Sequence, residues 1–518
     1  MNILEKFEKY YAVWSISLFI VALVIVGSEL RIYDNFSTPP SGLHAWRQTD
    51  AASIAQLFHS DHLGLFSPAI HSQTSDFLAS GDCATSEFPL LYYGVGLMHS
   101  WFGENEGYFR IVTFILYGLS ILVLFLVLFK LSNSFFGAAL PGLFWYTSPI
   151  LIYYSSNFLS NMPALSFAVM GFASAYYFLH SKRYKWLIAA AVFYAIAGLF
   201  KVTALLSLVA LVGALGLSYL IKVRELNWRE LVPLVLAVIP SFLWIAYAKY
   251  YNEDHLCYYF STQLYPIWEL DFNGIVYHLD LIHKAWTGQF YPTITLVILA
   301  CSLVTILFLI RRYSLVVKLW LLLVLIGVLA YIAMQFQVLF AHDYYFTNLF
   351  ILPLMVMSFS FVELSKSINQ RIRSIAGVVL SLILFLAFQK GDKINAQRRE
   401  QFKDAKPKLI ELRPLLDRLG VSTEDKIVFA PDESNVSLYY LRRKGWTQYG
   451  YPLNENGSMK DSKTYTFRLK TMYERGNAKY VVIYGDEALT LYPEIVPFLG
   501  EELGDSLGLR VYQFKPQD

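Results

Sequence analysis

A short polar segment, His44-Ala45-Trp46-Arg47-Gln48-Thr49-Asp50, directly follows the first apolar run of the chain. Arg47 and Asp50 are three positions apart, so they share one face of any helix that contains them. An arginine can bind an anionic leaving group, and a carboxylate can deprotonate a nucleophile. Polar groups that border hydrocarbon are costly to keep, which favours such chemistry over the alternative of a surface salt bridge.

Other polar groups near this pair are candidates for substrate contacts. His44, Trp46 and Gln48 crowd the same short segment and are predicted to bind substrate. Glu87, two positions before Pro89, could orient a substrate hydroxyl or amine. The alternative for Glu87 is an acid that favours the start of a helix, because the helix dipole attracts negative charge there.

Three more polar sites stand at the predicted ends of apolar runs. Asn161 is either an ordinary helix cap or a residue that faces the same cavity as the carboxylate. Lys201 is either a phosphate-binding cation or an interfacial lysine that snorkels to water. His342 could donate to a phosphate or act as an acid–base group. Asp343 and Tyr344 follow it and are predicted to contact substrate, although Asp343 could instead be an N-cap.

The sequence carries no strong cofactor signature. No Gly-x-Gly-x-x-Gly or P-loop pattern opens a helix, so no bound nucleotide is expected. The trio His278, Asp280 and His283 fits no firm metal template, and the chain lacks the Asp-x-Asp pair with which soluble sugar-nucleotide transferases hold a metal diphosphate. We expect no cofactor and no nucleic-acid partner, and a divalent metal remains a less favoured alternative.

The composition is that of a membrane protein. Hydrophobic residues make up 56% of the 518 residues and charged residues 16%, which excludes a disordered chain and an ordinary cytosolic enzyme. Long apolar runs recur along the first three quarters of the chain, and runs of this kind cross bilayers. We predict about eleven transmembrane helices, at roughly residues 12–30, 110–130, 136–154, 162–180, 186–200, 202–221, 231–249, 292–310, 315–335, 344–364 and 373–389.

The lysines and arginines between these runs set the predicted orientation. With eleven spans the basic connectors all fall on one side, which the positive-inside rule makes cytoplasmic. The N-terminus is then cytoplasmic, and the first run, which lacks a cleavage site, is a signal anchor. Residues 31–109, residues 250–291 and the C-terminal segment lie outside. Merging the two runs that meet at residues 200–201 would invert everything after them. We predict a multi-pass protein of the bacterial inner membrane.

After residue 390 the composition becomes more charged. Short β-branched runs predict strands, and the stretches between them predict helices. The predicted strands are 426–430, 479–484 and 509–514, and the predicted helices are 407–419, 464–475 and 488–499. We therefore expect a transmembrane domain, residues 1–390, with interfacial helices in its first outer loop, residues 31–109. A soluble extracytoplasmic α/β domain, residues 391–518, follows. Cys83 and Cys257 both fall outside the cytoplasm and are either bridged or free thiols.

Short motifs in this order resemble those of a known family. Residues 87–93 resemble a Pro-Leu-Leu-Tyr element, residues 153–163 resemble a "Tyr-Tyr-Ser…Asp-Met-Pro" element, and residues 198–201 resemble a "Gly-Leu…Lys" turn. Together with an acidic residue early in the first outer loop, they resemble the membrane glycosyltransferases of the C-type (GT-C) fold. That family includes the aminoarabinose transferases of lipid A and the protein O-mannosyltransferases. The resemblance covers roughly residues 10–390.

The resemblance implies an inverting glycosyltransferase on the outer face of the inner membrane. The donor would be a sugar linked to polyprenyl phosphate, and the acceptor a glycolipid, polysaccharide or protein, with membrane lipids as further partners. A polyprenyl phosphate leaves as an anion, so it needs cations more than a proton, and Arg47, Lys201 and His342 can supply them. Asp50 can serve as the base for the acceptor hydroxyl. No metal is required if side chains hold the phosphate.

The sequence also departs from that family. The usual Asp-Glu pair is absent, Glu87 stands where aminoarabinose transferases have a lysine, and Asn161 replaces a second aspartate. A two-carboxylate mechanism is therefore not expected. Two rival functions remain. A transporter or flippase of lipid-linked saccharides predicts internal repeats and mid-span charges, and a non-catalytic assembly protein leaves the segment around Asp50 unexplained.

Overall fold

The structure is a computed structural model that describes most of the chain. The described residues are 3–29, 36–73, 84–223, 225, 227–255, 264–401, 408–432, 435–449, 469–485 and 487–515. Cys83 and Cys257 lie outside them, so both alternatives for this pair stay predictions.

Internal contacts divide the chain into two compact units. The helical unit comprises Met1–Phe36, Phe109–Trp244 and Gln263–Arg398. The mixed unit comprises Ser37–Tyr108, Ile245–Thr262 and Arg399–Asp518. The first outer loop thus belongs to the same unit as the C-terminal segment. The sequence instead predicted that residues 31–109 belong to the transmembrane domain and that this domain ends at residue 390.

Helices make up most of the described chain before residue 402. In chain order they are α1 (Ile3–Glu29), α2 (Ala45–Ser60), α3 (Leu90–Phe102), α4 (Gly107–Ser132), α5 (Phe135–Trp145), α6 (Pro149–Ser155), α7 (Asn161–Ser181), α8 (Tyr184–Phe200), α9 (Leu206–Leu220), α10 (Trp228–Leu236), α11 (Ile239–Asp254), α12 (Phe272–Trp286), α13 (Thr293–Phe308), α14 (Leu315–Met334), α15 (Ile351–Ser367) and α16 (Gln370–Gln401). Short 3₁₀ helices lie between some of them, at Val202–Leu205, Ile267–Glu269, Ile310–Arg312, Phe336–Val338 and Asp343–Phe350.

The apolar helices make this a multi-span membrane protein. Within the described ranges, eight helical stretches are long and apolar enough to cross a bilayer, and the pair α5 and α6, bent by 79°, is either a ninth, broken span or a re-entrant loop. The two remaining predicted runs correspond to α8 and α13, which have only 17 and 16 residues. All eleven predicted runs are helical, but the predicted count of eleven spans is not confirmed.

Polar caps in the connectors define where these helices begin. A cap side chain accepts a hydrogen bond from a backbone N–H that has no partner within the helix. The capping side chains that do so are Ser134, Ser148, Asn227, Asp271 and Ser314. At α6 the cap Ser148 is followed by Pro149, a residue suited to the first helical turn. The predicted run 136–154 therefore breaks into two helices at this point.

The chain also breaks at Lys201, where the predicted topology required a turn. Helix α8 ends at Phe200, and Lys201 is extended, with φ −161° and ψ 119°. Gly198 lies so close to Ser241 and Leu205 that an added Cβ would stand 2.4 Å and 2.8 Å from their side-chain atoms. A side chain at residue 198 would therefore force this close packing apart.

The mixed unit contains a five-stranded sheet. Its strands are β1 (Lys426–Asp432), β2 (Gly445–Tyr449), β3 (Ala478–Tyr484), β4 (Leu499–Ser506) and β5 (Leu509–Phe514). The strand order is β2-β1-β3-β5-β4. Strand β1 pairs in parallel with β2 and β3, whereas β5 pairs antiparallel with β3 and β4. The predicted α/β domain and its three strands are present, and β2 and β4 were not predicted.

Two of the predicted C-terminal helices are shorter than expected. The stretch 407–419 is divided into α17 (Lys408–Glu411) and α18 (Arg413–Arg418). Helix α19 is Val436–Leu441. The stretch 488–499 is α-helical only at α20 (Glu487–Leu491), and a 3₁₀ helix, Pro493–Phe498, follows it. Proline lacks the N–H that a continuing α-helix needs, so Pro493 and Pro497 prevent one long helix. Residues 469–474 are helical, and residues 464–468 lie outside the described ranges.

Hydrogen bonds join the first outer loop to the C-terminal part of the mixed unit. The Asn435 side chain accepts from Ser72 N at 3.0 Å and donates to the Thr49 carbonyl at 3.2 Å. Gly445 N, at the start of β2, donates to the His71 carbonyl at 3.0 Å. Helix α2 is buried on all sides from Gln48 to Phe58. A position of this helix at the membrane interface stays a prediction.

Candidate functional site

Arg47 holds two carboxylates in the mixed unit. Its Nη2 lies 2.8 Å from both Oε1 and Oε2 of Glu87, and its Nη1 lies 3.6 Å from Oδ2 of Asp50. The side chain of Arg47 is 18% exposed, whereas those of Asp50 and Glu87 are 4% and 10% exposed. The predicted pairing of Arg47 with Asp50 on one helix face is therefore present, and Glu87 joins it from outside that helix.

Close packing of α3 on α2 accompanies this arrangement. A Cβ at Gly96 would lie 2.8 Å from the Ala55 carbonyl oxygen and 2.9 Å from Phe58 Cβ, so glycine permits the two helices to approach. Glu87 lies in the segment that leads into α3, and Ser86 Oγ donates to its Oε2 at 2.5 Å. Glu87 accepts hydrogen bonds from both Ser86 and Arg47, which fixes its orientation.

The turn before α2 positions Arg47. His44 precedes the helix in a left-handed conformation, with φ 59° and ψ 37°, and is buried. The Gln48 amide nitrogen donates to the carbonyls of Ser41 and Leu43, each at 2.9 Å. Gln48 thereby ties the turn to the helix, a structural contact that the sequence did not indicate. The substrate-binding roles of His44, Trp46 and Gln48 stay predictions.

Asp343 is the centre of a second charged cluster, which lies in the helical unit. Its carboxylate accepts from Tyr154 Oη at 2.6 Å and forms an ion pair with Arg398. The side chains are 0% exposed for Asp343 and 2% for Arg398. The guanidinium carbon of Arg398 lies 5.0 Å from the ring centre of Tyr153 and 5.7 Å from that of Trp286. Aromatic faces attract a cation at these distances.

Arg398 retains hydrogen-bonding capacity inside this cluster. Its Nε and Nη1 atoms are buried and have no hydrogen-bond partner among the described residues. A buried donor without a partner is costly, so the position favours an anion with several acceptor oxygens. Arg398 was not among the predicted site residues because it lies beyond the last predicted span. Helix α16 runs on to Gln401 without a proline, and that continuity was the signal available in the sequence.

Asn161 and Asp343 do not act as helix caps. Ser160 occupies the cap position of α7, and the Asn161 amide instead donates to the Tyr344 carbonyl at 3.1 Å. The residue before the 3₁₀ helix Asp343–Phe350 is His342, and the Asp343 carboxylate binds Tyr154 and Arg398. Both cap interpretations are wrong.

Lys201 and His342 belong to neighbouring segments of the helical unit. Asn348 Nδ2 donates to Thr203 Oγ1 at 2.7 Å, which joins the 3₁₀ helix after Lys201 to the one after His342. Lys201 is half-buried. The His342 ring lies 5.5 Å from that of Tyr344, centre to centre. The helical unit therefore groups the segments that carry Asn161, Lys201, His342, Asp343 and Tyr344.

A buried histidine, His71, contacts α2 through Ser53. Ser53 Oγ lies 2.6 Å from His71 Nδ1 and also accepts the His71 backbone N–H at 2.9 Å. Burial, followed by the positive charges of Arg442, Lys444 and Arg413, holds the pKa of His71 well below its ordinary value. His71 is therefore neutral near pH 7, and its ring shares a hydrogen bond with Ser53.

The described residues contain no group of three or more His, Cys, Asp or Glu side chains placed to hold a metal ion. In the trio considered from the sequence, Asp280 pairs with Lys284, and the rings of His278 and His283 contact Gly274 and Thr287.

Solved structures share the architecture of this chain. By sequence, the chain matches no protein-family model and no curated protein. ArnT from Cupriavidus metallidurans in the apo state matches with a TM-score of 0.59 at 13% identity, over 97% of this chain and 99% of that chain. The same protein bound to undecaprenyl phosphate matches with a TM-score of 0.56 at 13% identity, over the same shares.

An archaeal protein extends the similarity. The oligosaccharyltransferase AglB from Archaeoglobus fulgidus, in complex with an inhibitory peptide and a dolichol-phosphate, matches with a TM-score of 0.51 at 12% identity. The match covers 94% of this chain and 72% of that chain. The chain therefore has the GT-C fold, and the predicted fold class is confirmed.

Proposed function

We propose that this protein is an inverting glycosyltransferase that moves a sugar from a polyprenyl-phosphate donor to an acceptor. One observation carries the proposal: in a chain with the GT-C fold, a nearly buried carboxylate, Asp50, stands beside an arginine just after the first apolar helix. The bound undecaprenyl phosphate of one structural neighbour supports a lipid-phosphate donor. The segregation of lysine and arginine in the sequence supports an outer-face reaction at the inner membrane.

Asp50 is the proposed general base. A single displacement at the anomeric carbon needs a base for the acceptor hydroxyl, and an ionised carboxylate can take that proton. Arg47 contacts Asp50 and also binds Glu87 through both carboxylate oxygens. Glu87 is thereby oriented and is proposed to contact an acceptor or sugar hydroxyl. Arg47 can bind a phosphate only by sharing or releasing Glu87, so its main proposed role is to position the carboxylates.

Arg398 is proposed as a donor-phosphate ligand, with Lys201 and His342. The support is its burial beside aromatic rings together with the unused Nε and Nη1 donors. A phosphate offers several charged oxygens, so it would satisfy donors that the protein leaves open. Asp343 holds the guanidinium in place, and Asn161 holds the Tyr344 segment through its backbone. These two residues and Tyr344 are therefore proposed to shape the substrate site.

The test measures release of undecaprenyl phosphate. Purified protein in nanodiscs is given undecaprenyl-phosphate-linked glucose, mannose or aminoarabinose with a membrane extract as the source of acceptor. Mass spectrometry then quantifies free undecaprenyl phosphate. We expect release from at least one donor, dependent on the extract and lost in Asp50→Asn. Release from no donor, or equal release by Asp50→Asn, would contradict the proposal.

A further inference from the structure

The helical unit contains an apolar cavity whose lining includes no residue of the Asp343 cluster. It has a volume of about 590 Å³ and lies among α13, α14 and α15. Leucine, isoleucine and valine side chains form most of its lining, including Leu303, Leu307, Leu321 and Val356. Cavities of this size and composition bind small apolar ligands or parts of them. The rim is open, because Leu307 is 69% exposed and Leu322 is 50% exposed.

The lining contains two residues with polar groups, Tyr313 and Lys318, and they occupy one end of the cavity. The Tyr313 hydroxyl donates to the Phe359 carbonyl at 3.1 Å, so this group is already satisfied. Lys318 is half-buried, and its ammonium group makes no hydrogen bond or ion pair with any described residue. Long cationic side chains commonly lay their stems along apolar surface and leave the charge at its edge.

More positive charge surrounds the same end. Arg311 and Arg312 lie in the 3₁₀ helix Ile310–Arg312 between α13 and α14, and both are exposed. Arg312 also donates to Ser367 Oγ at 2.6 Å. The three helices contain one acidic residue, Glu363, and it pairs with Lys366 at 2.7 Å. This end of the cavity therefore has an excess of positive charge that favours an anion.

The cavity end and the Asp343 cluster lie at opposite ends of α15. Asp343 opens the 3₁₀ helix that runs directly into α15, whereas Glu363 and Lys366 lie in its last turns. Helix α15 has 17 residues, so it is about 25 Å long. One lipid phosphate cannot contact both ends. The predicted topology also places the cationic end at the cytoplasmic leaflet, where anionic phospholipids are abundant.

We propose that this cavity binds an acyl chain of an anionic phospholipid, with the lipid phosphate at Lys318 and Arg311. The apolar lining excludes the headgroup, and the open rim admits a chain from the surrounding bilayer. The cations at the end select a negative headgroup over a zwitterionic one. This site is separate from the proposed donor site and does not require the transfer activity.

The experiment compares phosphatidylglycerol with phosphatidylcholine, using the purified full-length protein. Native mass spectrometry counts bound lipid, and thermal unfolding in mixed micelles measures the shift in Tm. We expect phosphatidylglycerol to bind more tightly and to raise Tm further. Lys318→Gln should weaken its binding about ten-fold, the effect of losing one charged hydrogen bond. Leu303→Trp fills the cavity and should abolish the preference for phosphatidylglycerol over phosphatidylcholine.

Leu296→Trp is the matched control, because Leu296 is an exposed leucine of α13, the helix that carries Leu303, and does not line the cavity. This variant should bind phosphatidylglycerol like the unmodified protein, which shows that an added tryptophan on this helix is tolerated. Equal binding of the two phospholipids would overturn the proposal, as would full binding by Leu303→Trp. Displacement of phosphatidylglycerol by equimolar undecaprenyl phosphate would also overturn it, since the cavity would then belong to the donor.

Discussion

The cluster around Arg47 and the cluster around Arg398 differ in solvent exposure and in the groups that surround the arginine. Arg47 is partly exposed and contacts two carboxylates, Asp50 and Glu87. Arg398 is almost fully buried and faces one carboxylate, Asp343, and several aromatic rings. Its attraction for an anion is stronger because little solvent screens it. In the proposed function, the first cluster supplies the base and the second binds the donor phosphate.

Burial also changes what the pairs contribute to stability. An exposed ion pair adds little, because solvent screens it and ordering two side chains costs entropy. A buried pair gains little over an apolar replacement, yet the loss of one partner is severe because the other charge stays buried. The Arg398 pair should therefore be sensitive to single substitutions in a way that the Arg47 cluster is not.

The largest expected effect separates catalysis from binding. Asp50→Asn should reduce turnover by about 10²–10⁴-fold, because an amide cannot accept the acceptor's proton. Tm and the affinity for undecaprenyl phosphate should change little, because the substitution preserves size. Asp61→Asn is the control, since Asp61 ends the same helix and pairs with Lys444. Near-normal turnover by Asp50→Asn would move the base to another carboxylate.

The next effect concerns stability. Asp343→Asn leaves the Arg398 charge buried without its partner and should destabilise the protein by about 3–5 kcal/mol. Glu87→Gln should cost less, because Arg47 keeps Asp50 as a charged partner and the amide oxygen can still accept a hydrogen bond from it. Thermal unfolding of both variants in the same detergent measures the contrast, and the double variant Asp343→Asn with Arg398→Met should recover part of the loss. Equal losses in the two single variants would contradict a difference in stability between the two clusters.

A smaller effect tests which arginine binds the donor. Arg398→Gln should weaken binding of undecaprenyl phosphate by about 1.5–3 kcal/mol, the contribution of a hydrogen bond to a charged group. Arg47→Gln should weaken it less, because Glu87 already occupies that guanidinium. Arg371→Gln, at the opposite end of α16, serves as the control. Binding assays by microscale thermophoresis give the three values, and a larger loss in Arg47→Gln than in Arg398→Gln would reverse the assignment.

The smallest effect is a dependence of stability on pH. Burial lowers the pKa of His99 to about 4, and that of His71 also lies well below 6.5. Below pH 6.5 the unfolded chain binds protons that the folded chain does not, so stability is complete above pH 6.5 and falls as the pH drops towards 4. Tm should be lower at pH 5 than at pH 7.5, and His99→Gln should flatten the profile.

His283→Gln is the control for this profile, because the His283 side chain is exposed on α12. It should leave the difference between pH 5 and pH 7.5 unchanged. A Tm that stays constant between the two pH values in the unmodified protein would contradict the role of the buried histidines.

Local patterns in the sequence predicted much of this molecule. The apolar runs identified the helices, the three-residue spacing paired Arg47 with Asp50, and β-branched runs identified β1, β3 and β5. Strand β4 was not predicted because its sequence, Leu499–Ser506, is rich in glycine and acidic residues. Such a strand is specified by its partner rather than by its own composition.

Distant pairs could not be found in this way. Glu87 is 40 positions from Arg47, and Arg398 is 55 positions from Asp343, so no periodicity relates them. The folded chain brings them together through helix packing, which depends on many side chains at once. The contact of Glu87 with Arg47 was therefore not predicted.

The mixed unit is assembled from distant segments of the chain, and this has a consequence for synthesis of the protein. Ser72 and its hydrogen-bond partner Asn435 are 363 positions apart in the chain. At about 5–20 residues per second, roughly 20–70 s separate their emergence from the ribosome. During that interval α2 exists without the C-terminal partners that bury it, while most of the apolar helices are still being inserted. A nascent chain halted before β1 would therefore expose the surface of α2, which makes the early loop a natural target for chaperones and proteases.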